Sequence, residues 1–142
     1  PRILDVRPAL NFKSKVSFHK SIPRGFSVSY GAAWTSKKNT EISTIPLGYG
    51  DGYRRHFSNR GEVLIRGKRR SIVGRICMDQ FMVSCESDII QSGDEVVLIG
   101  EQEDQCIKVE ELSDWAETIP YEILTNLNER IPRIYNNLKK FS

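Results

Sequence analysis

The chain has little of what many catalytic and structural centres are made from. Its 142 residues include two histidines, three cysteines and two methionines. His19 and His56 lie far apart, and no Cys or His pair has metal-ligand spacing. A Ser/His/Asp signature is also lacking. Cys77, Cys85 and Cys106 are odd in number and fit no motif, which speaks against a disulfide framework and for a reducing, cytoplasmic compartment. No apolar run approaches the roughly 18 residues of a membrane-spanning helix. No Pro- or Gly-rich tract or long charge run points to disorder. The opening PRILDVRPAL lacks the long apolar core of a secretion signal. The only methionines are Met78 and Met82, and the first residue is Pro1, so we expect a processed chain or a piece of a longer polypeptide. A piece can carry half of an active site.

What is present is ordinary for a soluble protein. Apolar residues make up 39% and charged residues 27%, and 21 basic against 18 acidic residues leave +3. That suffices for one modest core, so we expect a single domain over 1–142. Alternation at Lys15–His19 and Phe26–Tyr30, and β-branched enrichment from Thr40 to Leu47, predict strands. Further short strands are expected at Glu62–Arg66, Ser71–Ile76, Gln80–Ser84 and Glu95–Ile99. So many short strands with frequent turns predict a mainly β fold, a closed barrel or a sandwich. The period then changes. Val109, Leu112, Trp115, Ala116 and Ile119 share one helical face. Pro120 restarts the helix, and Pro132 stops the second one near Arg130.

Three segments are candidates for chemistry. Gly48-Tyr49-Gly50-Asp51-Gly52-Tyr53-Arg54-Arg55 has three alternate glycines, which suit a tight turn or a close approach. It is neither a phosphate loop nor a dinucleotide fingerprint. Arg66-Gly67-Lys68-Arg69-Arg70 reads as a solvated basic turn, and without interleaved aromatics it is not expected to bind nucleic acid. Gly74-Arg75-Ile76-Cys77-Met78-Asp79-Gln80 interrupts an apolar run with Arg75 and Asp79. It reads either as a structural ion pair or as a site lined by charges and free backbone N–H groups. Tyr30, Tyr49 and Tyr121 are core or rim residues by default.

Six motifs in register resemble one family: Val28-Ser29-Tyr30-Gly31, Gly48-Tyr49-Gly50-Asp51-Gly52, Val73–Gln80, Gly93-Asp94, Thr118-Ile119-Pro120-Tyr121-Glu122 and Arg130-Ile131-Pro132-Arg133. From about Lys15 to Tyr135 the chain resembles the C-terminal domain of alanine racemases. These are pyridoxal-phosphate (PLP) enzymes built from a (β/α)₈ barrel and a β-domain. The resemblance implies a closed Greek-key β-barrel of about six strands with a short helical segment after it. It implies that Tyr30 is a catalytic base, and that Met78, with Asp79 beside it, binds the substrate carboxylate through a backbone N–H. Tyr121 would bind the PLP phosphate. Tyr49 would border the substrate, and Arg55, Arg75 and Ile119 would line an entrance corridor. It further implies a head-to-tail homodimer in which this domain completes the partner's site. The second base, the lysine that also holds PLP, would lie in the barrel domain, and no lysine here takes that role. The domain alone is then expected to be inactive.

Rival readings differ in class. Cys85-Glu86-Ser87-Asp88 has a superficial likeness to the catalytic cysteine stretch of PLP-dependent decarboxylases, but lacks its intervening glycine. A racemase for another amino acid, such as serine, is a closer rival: the tyrosine-flanked entrance resembles the narrow alanine type, but part of the specificity would reside in the barrel domain. A non-catalytic β-barrel for dimerisation or binding fits the polypeptide by itself.

Overall fold

The computed structural model describes residues 7–136. Its strands are β1 (Phe12–Lys15), β2 (Phe18–Ile22), β3 (Ser27–Val28), β4 (Trp34–Thr35), β5 (Thr40–Ile45), β6 (Glu62–Ile65), β7 (Lys68–Val73), β8 (Phe81–Glu86), β9 (Glu95–Gln102) and β10 (Gln105–Ile107). Two short helices follow, α1 (Val109–Trp115) and α2 (Pro120–Thr125). One eight-stranded antiparallel sheet runs β1-β9-β6-β7-β8-β5-β2, with β10 also on β9, and β3 and β4 form a separate ribbon. The fold is therefore mainly β with a helical end, as expected, but with more strands than the six anticipated.

The expected strand Lys15–His19 is two strands. At Val16 the chain bonds to Asp94 (N···O 2.9 Å), and at Ser17 it bonds to Thr44 (2.9 Å). These two residues hand the chain from β9 to β5. Among the described residues the hydrogen-bonded path has two ends, β1 and β2, and only Val16 and Ser17 separate them in sequence.

The basic turn also needs correction. Ile65 pairs with Lys68, so the turn is just Arg66 and Gly67, both at positive φ (51° and 67°). That is the backbone of a tight two-residue hairpin, whose twist matches its strands. Lys68, Arg69 and Arg70 thus open β7, which begins three residues earlier than expected. They are strand residues and not part of the turn: Lys68 and Arg69 stay exposed, Arg69 pairing with Glu62 and Glu111, while Arg70 is buried against Asp88.

Phe26–Tyr30 is likewise shorter than expected. Only Ser27 and Val28 are strand, and Tyr30 begins a single 3₁₀ turn (Tyr30–Ala32). α2 starts at Pro120, where the missing N–H costs nothing because the first helical donors have no partner anyway.

The core lies between the sheet and α1. Tyr53 stacks on Phe81 (centroids 5.1 Å) and meets Phe57 edge-on (4.7 Å), and Phe57 meets Trp115 (6.1 Å). Such pairs add about 0.5–1.5 kcal/mol each beyond the area they bury. The aromatic cluster anchors the segment between β5 and β6, which carries the glycine-rich loop. Ile22, Val28, Ile42 and Val73 form a second, smaller cluster beneath the ribbon. Among the described residues no helix is long and apolar enough to cross a membrane.

Candidate functional site

Loops at one end of the sheet build a cleft of about 450 Å³, lined by Tyr30, Tyr49, Arg55, Ile76, Cys77, Met78, Asp79 and Gln80. Three small polar side chains hold its walls together. Ser29 Oγ donates to the Arg75 carbonyl (2.8 Å) and accepts from the Arg75 N–H (3.0 Å). Asn59 accepts from Gly74 N–H (2.7 Å) and donates to the Ala33 carbonyl (3.1 Å). Ser58 Oγ accepts from Ile76 N–H (2.9 Å) and donates to the Arg55 carbonyl (2.5 Å). The segments carrying Tyr30, Arg55 and Arg75–Gln80 are thereby fastened to each other. Ser29 sits at φ 66°, a strained value for a residue other than glycine, directly before Tyr30.

The alternate glycines have separate tasks. A Cβ on Gly48 would overlap the Cys77 carbonyl oxygen, and one on Gly50 would crowd the Met78 carbonyl and Arg130. A Cβ on Gly52 would overlap the Asn126 carbonyl at the end of α2. The first two let the loop lie on the Cys77–Met78 backbone, where Tyr49 N–H donates to Cys77 O (3.0 Å) and Gly50 N–H to Met78 O (2.9 Å). The third lets α2 close on the other side.

Five of the eight expected site residues line this cleft: Tyr30, Tyr49, Arg55, Met78 and Asp79. Arg75 lies alongside, its guanidinium packed over Gly31. Ile119 and Tyr121 do not line it. They stand exposed at the start of α2. That helix is fixed through Glu122, which pairs with Arg54 and accepts from Thr118 Oγ1 (2.7 Å). These bonds, Thr118 first and then Arg54, hold the Glu122 carboxyl below the usual carboxylate range. None of the three candidate tyrosines is a core residue: Tyr30, Tyr49 and Tyr121 are 72%, 46% and 76% exposed.

Several polar groups in and near the cleft are unengaged. Among the described residues, the phenol oxygens of Tyr30 and Tyr121 and the N–H of Met78 have no hydrogen-bond partner. Arg55 and Arg75 make no ion pair there. A free amide and two unpaired guanidiniums around one cleft suit an anion.

Sequence reasoning missed the supports: Ser29, Arg54, Ser58, Asn59, Glu122, and the pair Asp51 and Arg130. Their partners are mostly distant in sequence, so no local pattern marks them. Ser29, Asp51, Arg54, Glu122 and Arg130 did fall inside segments already noted, without a role. Cys85 lies elsewhere. It is fully buried on β8, its Sγ 3.3 Å from Ser43 Oγ, and burial pushes its thiol pKa up. Ser43 in turn meets His19 Nδ1 (2.8 Å). A cysteine so enclosed does not serve the catalytic part it has in the decarboxylase reading.

A mainly antiparallel β-domain with an outward-facing, anion-suited cleft defines a class: a domain that presents polar groups on an open face instead of enclosing them. A family model described as alanine racemase, C-terminal domain, matches residues 9–135, and the chain belongs to that family. It is 53% identical over 131 residues to the alanine racemase of Carboxydothermus hydrogenoformans, covering 92% of this chain and 36% of that protein. The Bacillus anthracis alanine racemase with bound L-Ala-P superposes with a TM-score of 0.92 at 38% identity, over 97% of this chain and 35% of that one. The Bartonella henselae alanine racemase with covalently bound pyridoxal phosphate gives 0.82 at 35% identity, over 89% and 34%. The chain thus spans little more than a third of the length of the relatives it matches.

Proposed function

We propose that this domain completes the PLP site of an alanine racemase in a head-to-tail homodimer, acting on the barrel domain of the partner subunit. The observation that carries the reading is the free N–H of Met78 in the same cleft as the unengaged phenol of Tyr30. The donor set suits the cofactor. It offers phenols and cations toward an anionic, phosphate-bearing group, with no competing acid at Tyr30 or Tyr121 among the described hydrogen bonds.

Bound PLP supplies an electron sink that makes the α-proton of an amino acid acidic. The chain's own residues then divide the work. Met78 N–H donates to the substrate carboxylate and fixes its orientation, with Asp79 beside it. The Tyr30 phenol oxygen takes or gives the α-proton on one face. A lysine outside this chain serves the opposite face, so either enantiomer can form. Tyr121 would help hold the cofactor through a hydrogen bond from its phenol O–H to the phosphate. Tyr49 and Ile119 narrow the approach to the site, and Arg55 and Arg75 draw carboxylates toward it. Alone, the domain is silent, because the second base and most cofactor contacts belong to the barrel. The product, D-alanine, is made in the bacterial cytoplasm for use in the cell wall.

The test is racemisation of L-alanine by the full-length protein with PLP, beside its Tyr30→Phe variant. The variant is expected to lose about 10²- to 10⁴-fold in rate, the range for one acid–base group. The loss should differ between the two directions when solvent-proton exchange is followed. Equal, small losses in both directions would remove Tyr30 from proton transfer.

A further inference from the structure

Arg130 lies in the segment after α2, outside the catalytic, binding and corridor roles assigned above. Its Nε donates to Asp51 Oδ1 (2.7 Å) and its Nη2 to Asp79 Oδ1 (3.0 Å). Asp51 uses its other oxygen to accept from Gly48 N–H (2.9 Å), and its carbonyl accepts from Asn128 N–H (3.0 Å). One guanidinium therefore spans the loop that carries Tyr49 and the loop that carries Met78. The absent side chain of Gly50 makes room for it, since a Cβ there would press on Nη2. These are the same two loops whose backbones meet through Tyr49 N–H to Cys77 O and Gly50 N–H to Met78 O.

We infer that Arg130 is a positioning residue that clamps the Met78 loop onto the glycine-rich loop, setting the direction of the free Met78 N–H. The inference rests on the proposed function for its kinetic consequence and not for the clamp itself. A planar fork reaches two carboxylates at once, and a lysine of similar length cannot do so with fixed geometry. The contacts reach residues 51 and 79 positions away from Arg130, so the clamp adds a third chain segment to the two loops that meet through their backbones. The clamp touches neither the Tyr30 phenol nor its loop. Its loss should therefore weaken carboxylate binding more than proton transfer.

Two readouts on the full-length holoprotein test this. Amide hydrogen exchange at Tyr49 and Gly50 reports the clamp, and Arg130→Ala is expected to speed both by about tenfold or more. Racemisation kinetics report its consequence, with KM for alanine up about tenfold and kcat changed less than about threefold. Arg130→Lys should resemble Arg130→Ala in both. Unchanged exchange in Arg130→Ala overturns the clamp, whether or not the protein racemises alanine. Faster exchange with KM unchanged, or with kcat falling as far as KM rises, overturns the positioning role. A wild-type protein that does not racemise alanine defeats the proposed function, while the exchange result still decides the clamp.

Discussion

Arg70 carries a charge into the sheet. Its side chain is almost wholly buried, Nη2 donates to Asp88 (2.6 Å), and Nη1 donates to the Cys85 carbonyl (3.2 Å). Asp88 is partly exposed and also accepts from Lys68 (3.0 Å). Arg70 first, and Lys68 second, hold the Asp88 carboxyl below its ordinary value. The two partners are unequal. Removing Asp88 strands a buried guanidinium, whereas removing Arg70 leaves a carboxylate that water and Lys68 can still serve. Asp88→Asn is therefore expected to lower the thermal midpoint of the full-length protein by at least about 3 °C more than Arg70→Met. The pH dependence follows the lowered folded value. This stabilisation is complete above the ordinary aspartate pKa and is lost as pH falls through the folded one. Melting curves from neutral to acid pH should show that loss in wild type and lack it in Asp88→Asn; parallel curves would remove Asp88 from the acid limb.

Elements meet here through missing side chains as much as through present ones. Gly48 has an extended backbone, φ −156°, that any residue can adopt, so its constraint is purely steric. Gly93 is the converse: nothing lies within 4 Å of an added Cβ, but its φ is +93°. Gly48→Ala should push the Cys77–Met78 backbone away and raise KM for alanine about tenfold or more, whereas Gly93→Ala should cost about 1–2 kcal/mol of stability and leave KM unchanged. Equal KM values for the two variants would show that the close approach at Gly48 is dispensable. The same contrast explains what was legible in the sequence. Alternation and β-branched runs are local, so most strands were found near their true positions. The hand-over at Val16 and Ser17 depends on which strand lies alongside, and alternation does not encode that. β10 is three residues, two of them only half-buried, and leaves almost no periodic signal. The burial of Arg70 and the ion pairs of Arg69 were not legible because the carboxylates Asp88 and Glu111 lie well along the chain. Tyr30, Tyr49 and Met78 drew no distinction from spacing. They stood out only through the ordered set of motifs.

On the proposed function the site is shared between two subunits, and an arrangement of that kind can be tested by complementation. If each site combines one subunit's barrel with the other's β-domain, two inactive variants can repair each other. One would lack the barrel lysine and the other would carry Tyr30→Phe. In a mixed dimer one site is doubly damaged and the other is intact. Equal mixing with free subunit exchange should restore about a quarter of wild-type activity, as expected for random pairing in a two-fold dimer. Activity no higher than that of the separate variants would confine each site to one subunit and remove the head-to-tail arrangement.

The strand hand-over at Val16 and Ser17 also bears on when this domain can form. β1 is made first, yet its partner β9 comes far later: Lys13 and Glu95, which meet at 3.1 Å, are 82 residues apart. A ribosome needs on the order of ten seconds to supply that interval. Until then β1 has an open flank, and the loop to be closed is long, which slows the step. β2 can pair with β5 early, so a nascent domain holds the second half of the hand-over segment while the first half waits. The cleft depends on that late event only indirectly: Tyr30 lies between β3 and β4, and its other lining residues lie in the loops joining β5 to β6 and β7 to β8. Those four strands are translated and can associate before the sheet is complete, which puts the scaffold of the site among the earliest parts of the domain to take shape.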